Sequence, residues 1–69
     1  MNKETYIDAL ERKLWDQLDP DQLRNIISYY RDYFAMEAAK GISEEETIRK
    51  LGDPALLAKS ILAAEGSKG

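Results

Sequence analysis

The sequence contains no cysteine and no histidine. The first absence excludes a disulfide framework and thiolate chemistry. The second removes the commonest metal ligand and the side chain most often used as a general base near neutral pH. No apolar run approaches the roughly 18 residues that a membrane-spanning helix requires, and the opening MNKETYIDALERKL has charges where a secretory leader would hold its apolar stretch. Proline occurs only at Pro20 and Pro54, and glycine four times in 69 residues, so each instance of either is informative. The formal charge of −3, from 10 basic and 13 acidic side chains, argues against a general nucleic-acid binder, whose affinity comes from clustered Lys and Arg neutralising phosphates. A soluble globule is expected, with no cofactor, no direct nucleic-acid contact and no insertion of this chain into a membrane.

What is present is helical pattern. With 43% hydrophobic and 33% charged residues, the chain is too apolar for a disordered segment. Its length makes one domain, near the lower limit for a single apolar core without a covalent or metal staple. Ile7, Leu10, Leu14 and Leu18 recur at three- and four-residue steps, flanked by Tyr6 and Trp15, and predict an amphipathic helix over 3–18 with Asn2 as its N-cap. Asp19 and Pro20 then pair an N-cap with a proline at the first helical position. They start a helix of about twenty residues that carries Leu23, Ile26, Ile27, Tyr30 and Phe34 on one stripe and closes at Gly41. Ser43 with Glu46 three residues on has capping-box spacing and opens a short helix with Ile48 and Leu51 facing inward, stopped by Gly52. Asp53 and Pro54 repeat the Asp-Pro device and start a final helix through Leu56, Leu57, Ala58, Ile61, Leu62 and Ala64. The fold class is all-α: a compact bundle of about four helices, two longer, one short and one medium, with tight Asp-Pro and Gly corners. The domain is expected over 1–65, with 66–69 a flexible tail or the start of a linker.

Candidate chemistry is thin. Asp16, Asp19 and Asp21 cluster at the first corner, but without the glycine turn and closing glutamate of a calcium loop, and capping already accounts for Asp19. Ser28, Ser43 and Ser60 have no histidine to activate them. The run Glu44-Glu45-Glu46 suits the positive end of a helix dipole better than a cation or partner site. A DNA-reading last helix would offer only Lys59 and Ser60 to bases or phosphates. No enzymatic activity is expected, and no catalytic, cofactor or metal residues are assigned.

The second helix carries a surplus. Beside the main stripe, Tyr29, Tyr33 and Met36 form another, leaving more apolar surface than one core face requires. Two readings stand. In the first, the helix is embraced on both sides by the first and last helices, with the tyrosine hydroxyls at the rim. In the second, the stripe stays partly exposed and docks a partner or a second copy. The partner surface is expected on the second and third helices, with Tyr29, Tyr33 and Met36 as anchors and Arg31, Asp32 and Glu37 as rim groups.

The segments MNKETYIDALERKL, LDPDQLRNIISYYRDYF and GISEEETIRKLGDPALLAKSIL, in that order and spacing, resemble the HAAS signalling domain, a bacterial α-helical family. The likeness covers Met1 to about Ala64. Its most specific parts are YYRDYF in the second helix and the Gly52-Asp53-Pro54 corner with its flanking helices. Tyr29, Tyr30, Tyr33, Phe34, Gly52, Asp53 and Pro54 carry over as characteristic positions. The resemblance implies a non-enzymatic cytoplasmic module at the N-terminus of a bacterial membrane protein, commonly encoded beside a PadR-like transcription regulator; the module would bind that regulator or another cytosolic partner. Homodimerisation, assembling the parent protein, is the alternative. No membrane segment follows up to Gly69, so an excised domain and a free-standing member are both open.

Overall fold

In the computed structural model, which describes residues 1–65, four helices follow one another: α1 (Lys3–Leu14), α2 (Pro20–Ala39), α3 (Glu44–Leu51) and α4 (Pro54–Ala64). The described residues contain no strand, and the expected tail at 66–69 lies outside them.

Each helix starts where the sequence places a side-chain acceptor. Asn2 Oδ1 accepts the Thr5 N–H at 2.9 Å, and Asp19 Oδ1 accepts those of Asp21 and Gln22 at 2.9 and 3.2 Å. Ser43 Oγ accepts the Glu46 N–H at 3.1 Å and Asp53 Oδ1 the Ala55 N–H at 2.8 Å. These bonds satisfy amides that the helices themselves leave unpaired. Reciprocity differs from expectation. Gln22 returns a long bond of 3.5 Å to the Asp19 amide, whereas the Glu46 carboxylate turns instead to Arg49 at 3.0 Å. Gly41 and Gly52 close α2 and α3 at φ of +88° and +84°, values that side chains disfavour.

Helix α1 ends four residues before the expected Leu18. The amides of Gln17 and Leu18 both bond back to the Leu14 carbonyl, at 2.8 and 3.2 Å, and the chain turns over. Pro20 keeps the residue before it out of helical geometry, and Asp19 is extended, at ψ 162°, so the turn after Leu14 leads directly into α2. Leu18 still packs on the core from this turn. The four helices have 12, 20, 8 and 11 residues in chain order, with α2 and α1 the two longest.

Helix α1 is also the centre of the bundle. It packs against α2, α3 and α4, and Tyr6, Ile7, Leu10 and Leu14 are all fully buried along it. At one end Leu10 and Leu14 meet Ala58 and Ile61; at the other Tyr6 and Ile7 meet Phe34, with Ile48 and Leu51 of α3 packed alongside. Tyr30 and Leu57 touch both clusters, so the core is continuous. Of the two readings of α2, the embraced one does not describe this bundle: α2 packs chiefly on α1 and α3, Leu23, Ile26 and Tyr30 reach the cluster that holds Ala58 and Ile61 of α4, and one flank is left open. Trp15, expected to flank the α1 stripe, projects into solvent at 67% exposure, and Leu56 of α4 is similarly exposed.

Candidate interaction surface

Three tyrosines climb α2 as a ladder. The rings of Tyr29 and Tyr30 meet edge to face, 4.8 Å between centroids and 88° between planes, and Tyr30 meets Tyr33 at 6.4 Å and 80°. Such perpendicular contacts bring the positive edge of one ring to the negative face of the next. Tyr30 turns inward, and burial, with Tyr29 and Tyr33 beside it, pushes its hydroxyl pKa up. Tyr29 stands 62% exposed and Met36 60% exposed, with half-buried Tyr33 between them. Asp32 is exposed on the adjoining edge. These four expected surface residues therefore lie on one flank of α2.

The other two do not join them. Arg31 leans the opposite way, to Glu4 of α1 at 3.3 Å. Glu37 is no rim group at all: it is 3% exposed, its carboxylate accepting from Lys50 Nζ at 2.6 Å and Lys40 Nζ at 3.4 Å. The hydrogen bond from Lys50, reinforced by both ammonium charges, holds Glu37 below the usual carboxylate range; the same bond raises Lys50. The periodicity contained a signal for this. Glu37 follows Phe34 by three positions and Tyr30 by seven, which puts it on the inward stripe, where a carboxylate needs a cation across the seam. Lys50 of α3 supplies that cation.

The expected corner residues serve structure. Buried Tyr6 donates its hydroxyl to the Gly52 carbonyl at 2.8 Å, tying the middle of the bundle to the Gly52-Asp53-Pro54 corner. Burial, with Tyr30 and Asp53 nearby, raises the Tyr6 pKa to about 12. Glu44 also has a second task, since its Oε1 accepts the Lys3 N–H at 2.8 Å and so caps the start of α1 from another helix. Among the described residues no cluster of acidic groups is arranged to hold a metal ion, and Asp19 is engaged in its cap.

Sequence reasoning missed a groove. Helix α3, eight residues long, pairs with the C-terminal half of α2 through Glu37 and Lys50. Beyond it, α2 and the end of α4 bound an open groove of about 290 Å³. Its walls are Ile26, Tyr29 and Tyr30 on one side and Ile61, Ala64 and Glu65 on the other. Gln22 spans one end, donating to Glu65 at 3.3 Å. A larger groove of about 430 Å³ between α1 and α2 contains Arg24 and Arg31, but these pair with Asp21 and Glu4.

Fold and surface together define a small all-α bundle with an uncovered aromatic flank, in which no described helix is long and apolar enough to cross a membrane. The sequence model of one family, HAAS, matches residues 5–60. The chain belongs to the HAAS family. No curated protein and no solved structure matches it.

Proposed function

We propose that this domain is a non-enzymatic signalling module that binds a cytosolic protein through the open flank of α2. Membership in HAAS accords with an interaction role, and the resemblance that points to a PadR-like transcription regulator makes that the partner of choice. In this reading the domain is the cytoplasmic part of a bacterial membrane-associated system and links an envelope signal to the regulator. The observation that carries the proposal is the exposure of Tyr29 and Met36 on one flank with Tyr33 between them. Large apolar side chains that a small domain leaves uncovered, edged by polar groups such as Asp32, are what a partner's hydrophobic patch needs. Arg31 and Glu37 are left out of this contact, because each is held by an ion pair elsewhere.

The test is a calorimetric titration of the chain with the PadR-like regulator encoded nearest its gene. Wild type binds; Tyr29→Ala and Met36→Ala each weaken binding by about tenfold or more while the helical signal is unchanged. Equal affinity of a still-folded double variant removes this surface, and no heat with the wild-type chain removes the regulator.

A further inference from the structure

We propose that a second copy of this chain docks on the same flank, with the two α2 helices antiparallel about a twofold axis at the level of Arg31. The inference shares the tyrosine flank with the reading above but does not need the regulator.

The argument is one of register. A twofold interface must be complementary to itself, so whatever projects on one side of the axis has to meet its receptor on the other. Met36 projects, and the groove beside Ile26, between α2 and the end of α4, receives. In an antiparallel pair of α2 helices with Met36 facing Ile26, Tyr33 faces Tyr29 and Lys40 faces Gln22, because the three pairs share one midpoint. Each then makes sense chemically. The methionine enters an apolar groove walled by Ile61 and Ala64, exposed Tyr29 meets half-buried Tyr33 across the axis, and the Lys40 ammonium reaches the carboxylate of Glu65 that Gln22 holds at the groove's end. Lys40 pairs with Glu37 at 3.4 Å, but its side chain is 61% exposed and Lys50 holds the same carboxylate at 2.6 Å, so the Lys40 ammonium can be shared with Glu65 of the second copy. From Gln22 to Lys40 the contact runs roughly 27 Å at 1.5 Å per residue. One helix face of this length makes an interface at the small end of the range, so the dimer is weak, with a Kd of roughly 10 to 100 µM. Asp32 is the one discordant group. It lies on the edge of the flank next to the axis, so its carboxylate comes near its own symmetry mate.

Sedimentation equilibrium of the chain from about 5 µM to 1 mM tests this, with far-ultraviolet circular dichroism confirming the fold of each variant. The mass is expected to rise from 7.9 kDa toward twice that value. Met36→Asp weakens the dimer by at least about tenfold, and Asp32→Asn, which removes the like-charge contact, tightens it roughly twofold. Lys40→Glu weakens it, and adding Glu65→Lys restores it. A mass fixed at 7.9 kDa at 1 mM, or a dimer indifferent to Met36→Asp and to the charge exchange, overturns the inference. A strictly monomeric chain that still binds the regulator overturns it alone, whereas a dimer that binds no regulator leaves it standing and removes the other reading.

Discussion

Lys50 Nζ and Glu37 Oε1 stand 2.6 Å apart across the seam between α2 and α3, with the carboxylate buried and the lysine half in water. This pair makes α3 an obligatory part of the bundle, because a carboxylate without its cation is costly to bury. Lys50→Met should therefore lower the thermal midpoint clearly more than Glu46→Gln, which breaks an exposed pair within one helix. Replacing both Glu37 and Lys50 with leucine should recover much of the loss, since two apolar groups leave nothing unpaired.

The same pair sets the response to acid. Glu37 titrates lower folded than unfolded, so its contribution is complete above the ordinary carboxylate pKa of about 4.3 and disappears as pH falls through the lower folded value. Thermal midpoints of wild type and Glu37→Gln measured from pH 7 downward should stay apart above the ordinary carboxylate range and converge only as pH falls beneath it.

Tyr6 governs the alkaline side. Its folded pKa of about 12 lies above an unfolded value near 10, so the unfolded chain loses its proton first and is favoured as pH rises from about 10 to 12. Urea unfolding of Tyr6→Phe should show a loss of about 0.5 to 1.5 kcal/mol at pH 7, from the missing bond to the Gly52 carbonyl. Above pH 10 this difference should shrink, because phenylalanine cannot ionise.

Gly52 adopts φ +84° and ψ −164°, a region essentially confined to glycine. An added methyl group would meet nothing within 4 Å, so any cost of Gly52→Ala is conformational rather than steric crowding with neighbours. The expected loss is about 1 to 3 kcal/mol in urea unfolding. Chemical synthesis with D-alanine at this position should restore wild-type stability, since a D-residue prefers positive φ.

The central place of α1 predicts opposite outcomes at adjacent positions. Leu14→Ala should cost about 2 to 5 kcal/mol, through the cavity left among Ala58, Ile61 and its other neighbours. Trp15→Ala, one residue on and exposed, should change stability by less than about 0.5 kcal/mol.

The four N-caps, the two glycine stops and the helix order were legible because they depend on residues within four positions of one another. Leu14 was readable as inward-facing from its spacing. That α1 rather than α2 sits at the centre was not, because tyrosine and methionine on α2 resemble core residues by type, and only the partners of α1 decide which helix is enclosed. The candidate surface divided for the same reason. Tyr29, Tyr33, Met36 and Asp32 share a flank that the sequence suggested, whereas the fates of Arg31 and Glu37 depend on Glu4 and Lys50, distant in the chain and set by tertiary packing. The groove beside Ile26 was not legible because it depends on where the end of α4 comes to lie against α2, which tertiary packing sets.

Because α1 is enclosed by everything that follows it, the domain matures late during synthesis. The Tyr6 hydroxyl waits for a carbonyl 46 positions downstream, an interval of roughly 2 to 9 s at about 5 to 20 residues per second. Leu14 waits longer still, for Ile61. Until α4 leaves the ribosome, α1 and α2 can form only a partly satisfied hairpin with its apolar stripe exposed, and a nascent chain arrested before Pro54 should be protease-sensitive and bound by chaperones.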